Sequence, residues 1–331
     1  MIVNKFAVHA GIASEARRAT TGKGRPGRAP HTGSGLPILK TEAADTTAKL
    51  MLVALGFAWG LTWPAMRISL DEIPPLSMRV VTLGLGAGVL FLVGWFQGRS
   101  FALGGLKHAL HLSVAGILNV LSFSLLSVIA MMFAATGRVA VLAYTMPIWA
   151  ALFAWLFLGE RFTRARVMAL VLCATGMGVL IWPLARQNSL IGLLIAISIA
   201  VSWAAGTVYV KWARLTGDSV VNAAWQVFVA LVIVTLLLPV FEGSLHLTQA
   251  HALAIFGLIW SGLVGSGLAY FLWFAVVRRV PAMTASLGVL SAPVIGVIST
   301  ALLLGEIPTV VDVIAYGMIF AASICVLLPG R

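Results

Sequence analysis

Charged residues are scarce in this 331-residue chain. Only 10% of the residues are Asp, Glu, Lys or Arg, whereas 60% are apolar and the mean hydropathy is +1.03. A soluble protein of this length has about a quarter of its residues charged, so this chain lacks the groups to cover a water-facing surface. Long apolar runs recur from about residue 48 to the C-terminus, and each approaches the ~20 residues with which a helix spans a bilayer. The composition predicts a polytopic membrane protein.

Cysteines and metal-ligand motifs are also scarce. Cys173 and Cys325 each lie inside an apolar run, where a thiol behaves as a small hydrophobic group. Two isolated cysteines provide neither a disulfide framework nor a metal site. The formal net charge is +12, but the bases lie between apolar runs or near the N-terminus and form no basic face with interleaved aromatic residues. We therefore predict no metal, no cofactor and no nucleic-acid partner.

Motifs of intramembrane enzymes are missing as well. The sequence contains no His-Glu-x-x-His, no paired aspartates in an apolar run and no Gly-x-Ser-x-Gly. We predict that the protein is not an enzyme and assign no catalytic residue. Every acid beyond residue 46 maps to a loop or a predicted helix end: Asp71, Glu72, Glu160, Asp218, Glu242, Glu306 and Asp312. Any transport is therefore expected to need no titrating acid in the middle of the membrane.

Residues 1–46 differ in composition from the rest of the chain. They are rich in Arg, Lys, Gly, Thr and Ser and lack the apolar stretch of about 7–15 residues that a cleaved secretory signal needs. Such a segment buries too little surface to offset the entropy of ordering, so we predict a disordered basic extension. An organelle transit peptide, or a translation start placed too far upstream, would also fit this composition.

Apolar runs and helix breakers predict an all-α integral membrane protein with ten transmembrane helices. The predicted bounds are 47–69, 75–97, 108–130, 134–158, 164–184, 190–212, 220–241, 252–277, 281–304 and 309–329.

The loop charges predict the orientation, because Lys and Arg are retained in cytoplasmic loops. With the N-terminus inside, the cytoplasmic side holds Lys49, Arg99, Lys107, Arg161, Arg164, Arg166, Lys211, Arg214, Arg278, Arg279 and Arg331. The outer side holds only Arg67, Arg79, Arg138 and Arg186. We therefore place both termini in the cytoplasm and the protein in the cell inner (plasma) membrane.

Sequence patterns recur along the chain at a nearly constant offset of 143–146 residues. The matches are Trp59 and Arg67 with Trp203 and Lys211, His108-Ala109-Leu110 with His251-Ala252-Leu253, and Pro147 and Leu158-Gly159-Glu160 with Pro293 and Leu304-Gly305-Glu306. They predict two five-helix repeats, residues 47–184 and 185–331. Since five is odd, the second repeat enters the membrane from the opposite side. Inverted repeats are typical of transporters that work by alternating access, with the substrate site near the midplane.

The segment Trp59-Gly60-Leu61-Thr62-Trp63-Pro64, Arg79 near the start of the second span and the two Leu-Gly-Glu helix ends resemble the drug/metabolite transporter superfamily. The resemblance covers roughly residues 48–329 and is strongest to the ten-span EamA-type exporters. It implies a bacterial inner-membrane transporter that exports amino acids or related metabolites. The aromatic-amino-acid exporter branch is the most similar. The implied partners are a small-molecule substrate and the lipid bilayer.

Two alternatives remain at this point. One is a multidrug or cation exporter of the same superfamily, although the four-span multidrug relatives use a glutamate embedded in their first helix and the segment 59–64 has none. The other is a membrane scaffold or receptor that transports nothing.

Aromatic and polar side chains at predicted membrane depth are the candidates for substrate binding. Trp59 and Trp203 correspond in the two repeats, and their rings suit either stacking on a substrate or packing of the helix bundle. Trp63 belongs to the same motif as Trp59. Tyr144, three residues before Pro147, is a candidate phenolic donor.

Two further pairs each share one helix face. Asn119 and Ser122 are three residues apart on the third span, and Ser266 and Tyr270 are four apart on the eighth. Polar groups at this depth should face the bundle interior, where they contact substrate or form interhelical hydrogen bonds.

Three prolines are candidate hinges: Pro64, Pro147 and Pro293 lie inside predicted spans. Each removes one backbone donor and frees the carbonyl four residues earlier. Gly84 and Gly88, four residues apart with Gly86 between them, predict a small-residue face for close helix packing on the second span.

Arg79 has two interpretations. It lies one turn into the second span, where it could attract a carboxylate or stabilise an outer gate. It could also reach outward and pair with Asp71 or Glu72. Its position near the helix end favours the outward pairing.

Removal of residues 2–46 should leave membrane insertion and transport nearly unchanged, because this segment adds almost no apolar surface to the bundle. The measurement is uptake by proteoliposomes that hold equal amounts of full-length and shortened protein. Loss of transport by a shortened protein that inserts normally would contradict the prediction.

Overall fold

The computed structural model describes residues 37–159, 164–182, 190–247, 249–277 and 291–327. These residues form ten helical elements and contain no β-strand. The elements are α1 (Pro37–Leu70), α2 (Pro75–Phe96), α3 (Leu106–Phe133), α4 (Thr136–Leu158), α5 (Arg164–Ile181), α6 (Leu190–Trp212), α7 (Ser219–Phe241), α8 (Ala252–Val277), α9 (Ser291–Leu304) and α10 (Val310–Leu327). The predicted all-α membrane fold is confirmed.

Seven of the described helices, α1 to α4 and α6 to α8, are long and apolar enough to cross a membrane. The apolar helices α5, α9 and α10 are shorter, and each borders residues outside the described ranges. Helix α1 begins at Pro37, so residues 37–46 of the predicted extension are helical here. Residues 1–36 and the predicted start of the ninth span at 281 lie outside the described part of the chain.

The two halves interlock through matched helix pairs. Helix α2 packs against α7, and α5 packs against α10. Helix α1 lies against α8 and α9, while its repeat counterpart α6 lies against α3 and α4. The first two pairings join equivalent helices of the two halves, and the contacts of α1 correspond to those of α6, as expected of two related repeats. The substrate path predicted between the halves would therefore be lined by helices of both.

Carboxylates cap two of the helix starts that face water. Asp218 accepts hydrogen bonds from the backbone N–H groups of Val220 and Val221 at the start of α7 (2.9 and 3.2 Å). Helix α2 begins with Pro75, and the next two N–H groups, of Leu76 and Ser77, donate to Glu242 at the end of α7 (2.7 and 2.8 Å). A carboxylate satisfies the orphan donors of a helix N-terminus and complements its dipole. The second cap also ties the two halves together.

Exposed tryptophans mark helix ends, as the amphipathic indole favours the membrane–water interface. Trp95, Trp155, Trp182 and Trp212 are between 46% and 75% exposed. Their positions agree with helices that end near the two faces of a bilayer.

Glycine allows the closest helix crossings, and on α2 one of the three predicted glycines makes such a contact. A Cβ added at Gly86 would lie 2.7 Å from the Cβ of Ser266, so α2 and α8 touch there. A Cβ at Gly88 would meet nothing within 4 Å, and one at Gly84 only Leu231 at 4.0 Å. The predicted close packing of this small-residue stretch is therefore made by Gly86. The expectation that Gly84 and Gly88 share it is wrong, because α2 is rotated so that the residue between them faces α8.

Single cysteines at Arg164 and Ser244, placed in a chain with Cys173→Ala and Cys325→Ala, should report the two sides of the membrane. Both positions are exposed, at the start of α5 and in the loop after α7. A membrane-impermeant maleimide should label Ser244→Cys in spheroplasts and Arg164→Cys only after permeabilisation. Labelling of both positions from the same side would contradict the inverted arrangement.

Candidate functional site

Helices α3 and α8 each contain a π-helical segment, Ile117–Leu121 and Ser261–Leu268. The second begins 144 residues after the first, at the repeat offset. The Ser122 hydroxyl donates to the carbonyl of Ile117 (2.8 Å), and the Ser266 hydroxyl donates to that of Ser261 (3.1 Å). Both bonds reach back five residues. π-Helical turns inside α-helices occur frequently at functional sites.

Side chains of the opposite half bind carbonyls of both π-helical segments. Ser202 of α6 donates from its hydroxyl to the Leu118 carbonyl (2.7 Å). Trp59 of α1 donates from its indole N–H to the Gly265 carbonyl (3.2 Å). Each π-helical segment is therefore held by a hydrogen bond across the interface between the halves.

The predicted tryptophans fall into two aromatic groups. Trp63 and Trp203 both contact Phe123 edge to face, with ring centroids 6.1 and 5.3 Å apart. Trp59 instead lies beside Tyr270 and Trp273, at centroid distances of 6.4 and 6.1 Å. Sequence reasoning missed Phe123, because a phenylalanine in an apolar helix carries no polar or repeat signal.

Asn119 lies in the π-helical segment of α3 and contacts two helices of the second half. Its amide nitrogen donates to the Gln226 side-chain oxygen on α7 (3.1 Å). Its own amide oxygen is buried against Gly206 of α6 and has no hydrogen-bond donor among the described residues. Gln226 was not predicted. A buried amide oxygen without a donor is unusual, since buried polar atoms in proteins are nearly always hydrogen-bonded.

Helix α4 is interrupted at Tyr144 and Thr145, which separate the segments Thr136–Ala143 and Met146–Leu158. Pro147 is the second residue of the later segment, where its missing N–H costs no hydrogen bond. Tyr144 is buried in the same hydrophobic cluster as Trp63, and Phe123 packs against that cluster. This places Tyr144 next to the aromatic group around Phe123.

The other two predicted hinges differ from Pro147. Helix α1 is continuous through Pro64. Pro293 is the third residue of α9, and residues 278–290 before it lie outside the described part of the chain. A break next to a predicted hinge is therefore described only at Pro147.

Arg79 is turned into the bundle, with its residue only 5% exposed. Its Nε donates to the Ser124 carbonyl (2.7 Å), and its Nη2 donates to the Ser127 hydroxyl (2.7 Å) and the Met66 sulfur (3.2 Å). All three partners are neutral.

The predicted pairing of Arg79 with Asp71 or Glu72 is wrong, because both acids have other partners. Asp71 forms an ion pair with Arg67 one turn earlier (2.9 Å). Glu72 accepts hydrogen bonds from the backbone N–H and the imidazole of His251 (2.6 and 3.0 Å). Both bonds hold the pKa of the Glu72 carboxyl below its usual value, and the bond from the backbone N–H has the larger effect.

Polar contacts at the predicted outer end join α4 to α10 and to the loop between α9 and α10. Arg138 binds both carboxylate oxygens of Asp312 (2.9 and 3.0 Å), and Glu306 accepts from the Gly137 N–H (3.0 Å). A cavity of about 320 Å³ opens beside these contacts and is lined in part by Arg67, Arg138 and Glu306. Within the described ranges, no group of three His, Cys, Asp or Glu side chains could hold a metal ion.

Comparison with known proteins gives one family and several relatives. A model of the EamA-like transporter family matches residues 46–182 and again residues 190–328. The chain is 28% identical to the uncharacterized transporter YvbV of Bacillus subtilis, over 86% of this chain and 92% of that protein. It is 26% identical to the uncharacterized inner membrane transporter YedA of Escherichia coli, over 84% and 89%.

Another relative is a probable amino-acid metabolite efflux pump of Salmonella typhimurium, 25% identical over 75% of this chain and 84% of that protein. A solved crystal structure superimposes with a TM-score of 0.61 at 22% identity, covering 85% of this chain and 96% of the other. At that identity the structural likeness shows the fold alone.

Gly86→Ala should destabilise the protein, since its Cβ would collide with Ser266 next to the π-helical segment of α8. Overpacking of this kind costs about 1–3 kcal/mol. Gly88→Ala is the matched control, because it adds the same methyl group to the same helix in open space. The measurement is the thermal unfolding midpoint in detergent. Equal midpoints for the two variants would contradict the contact between α2 and α8.

Proposed function

The chain belongs to the EamA-like transporter family, and from that premise we propose that it exports amino acids or related small metabolites across the inner membrane by alternating access. The observation that carries the proposal is the pair of π-helical segments at matched positions of the two halves. Family members are transporters, which also favours a function other than catalysis.

The π-helical segments support alternating access because the hydrogen bonds that join each of them to the opposite half come from side chains. The bonds from Ser202 to Leu118 and from Trp59 to Gly265 join the halves without belonging to either helix's own ladder. When one half rocks against the other, such bonds can break and reform while the helices stay intact. Transporters with inverted repeats work largely by rigid-body rocking of this kind.

The aromatic and amide groups support an amino-acid substrate. Trp203, Phe123 and Trp63 form an aromatic wall for an apolar side chain. The buried amide oxygen of Asn119 offers an acceptor for an ammonium group. The efflux-pump name of the Salmonella typhimurium relative agrees with this substrate class.

The polar residues argue for export without proton coupling. Asp312 is buried, but it lies in the first turn of α10 and is bound by Arg138. It is therefore committed to a contact between the halves. The inward-turned Arg79 also disfavours a cationic drug as substrate, since like charges repel at short range. We propose that the substrate gradient, or the charge of the substrate, drives export.

Trp203→Ala should reduce transport of phenylalanine more than transport of serine, by roughly two- to tenfold, because aromatic contacts contribute about 0.5–1.5 kcal/mol beyond area burial. The measurement is counterflow in proteoliposomes with matched protein amounts. Trp212→Ala is the control: it removes an indole from the same helix, but one that is 57% exposed.

Two outcomes would contradict the proposal. Equal loss of transport for both amino acids would show that Trp203 does not contact the substrate and only packs the helix bundle. A strict requirement for an imposed proton gradient would refute transport driven by the substrate alone.

A further inference from the structure

The positive charge of Arg79 is buried without an anion. A guanidinium stays protonated in proteins, and a charge at membrane depth is costly unless it is paired or solvated. The residue is 5% exposed, and its three partners are a carbonyl, a hydroxyl and a thioether. Within the described ranges, no carboxylate forms an ion pair with it.

Other arginines of the described chain show what usually balances this charge. Arg138 binds both oxygens of Asp312, Arg67 pairs with Asp71, and Arg99 pairs with Asp218. These three partners are acids, and each of the three arginine side chains is more exposed than that of Arg79. Arg79 is thus both more buried and without a negative partner.

The hydrogen bonds of Arg79 also do not use all of its N–H groups. A guanidinium has five N–H groups in a planar fork. The three bonds to Ser124, Ser127 and Met66 use Nε and Nη2. The two N–H groups of Nη1 have no hydrogen-bond partner among the described residues. A side chain that only linked α2 to α3 by hydrogen bonds would not need to be charged. A guanidinium with unused N–H groups is suited to bind a carboxylate.

The guanidinium lies about one helical turn from the aromatic wall. Ser127, which binds Nη2, is four residues after Phe123 on α3, and Met66 is three residues after Trp63 on α1. Residues three or four apart share a helix face and are about 5–6 Å apart along it. A carboxylate at Arg79 therefore leaves the rest of an amino acid within reach of Phe123 and Trp63.

We infer that Arg79 binds the carboxylate of the transported substrate, so that the protein selects α-carboxylates carrying an apolar side chain. This inference rests on the proposed function, since it assigns one group of that same substrate. Arg79 approaches the carboxylate with its free Nη1 donors, while Ser124 and Ser127 hold the fork in place. When the site is occupied, the substrate supplies the negative charge that the helices lack.

The test compares phenylalanine with its carboxamide in proteoliposome counterflow. Arg79→Gln should reduce phenylalanine transport by about tenfold or more, as expected for losing hydrogen bonds to a charged group. Transport of the carboxamide should not fall by more than about twofold, because that substrate offers no carboxylate to the charged guanidinium. Lys107→Gln is the control, since it removes one positive charge at an exposed position in the first turn of α3. Equal loss of both substrates in Arg79→Gln would overturn the inference and leave the residue a structural role.

Arg79→Lys covers the case in which Arg79→Gln does not reach the membrane. Lysine keeps the charge but lacks the fork. A loss for phenylalanine that exceeds the loss for the carboxamide supports the inference, and equal losses overturn it.

A binding measurement separates this inference from the proposed function. Thermal stabilisation of the purified wild type is measured with 3-phenylpropionate and with 3-phenylpropionamide. If the wild type moves no amino acid, the proposed function fails. Stabilisation by the carboxylate alone, lost in Arg79→Lys, still supports the anion site. Equal stabilisation by both compounds, or by neither, overturns it.

Discussion

Every backbone carbonyl inside a bilayer needs a hydrogen-bond donor from the protein, and this constraint decides where the chain can depart from the α-helix. The π-helical segments of α3 and α8 are such departures. Ser122 and Ser266 satisfy carbonyls of their own helices, while Ser202 and Trp59 satisfy carbonyls of the opposite half. The irregular backbone is therefore tolerated where the two repeats meet.

The same constraint governs charge. The carboxylates of Asp218, Glu242 and Asp312 lie at helix starts or in the turns beside them, where they bind N–H groups or arginines. Several of these contacts, including the bond from His251 to Glu72, join the two halves at the predicted outer end. Charged contacts between the halves thus lie at helix ends, whereas the interior is joined by neutral side-chain hydrogen bonds and by close packing of small and aromatic residues.

The helices and the repeat could be predicted from the sequence because they depend on composition and spacing. Hydropathy places each helix end within about three residues, apart from the start of α1 and the predicted start of the ninth span at 281, which lies outside the described ranges. The two π-helical segments, which were not predicted, begin at the same offset of 144 residues that separates Trp59 from Trp203. The rotation of a helix about its axis has no such signal when most of its residues are apolar. The errors at Arg79 and at Gly84 and Gly88 share this cause. Arg79 and Gly86 are seven residues apart, so they lie on one face, and that face points inward.

The interlocked packing of α1 also has a consequence for biosynthesis. Helix α1 ends at Leu70, and α9, which it packs against, begins at Ser291. At about 5–20 residues per second, a ribosome needs roughly 10–45 s to add the intervening chain. A Cβ at Gly60 would lie 2.9 Å from the Ala292 carbonyl, so this glycine face remains in contact with lipid or insertion machinery until α9 arrives. The first repeat cannot complete its native packing as it leaves the ribosome, and a chain truncated before α9 presents an unassembled α1 to membrane proteases.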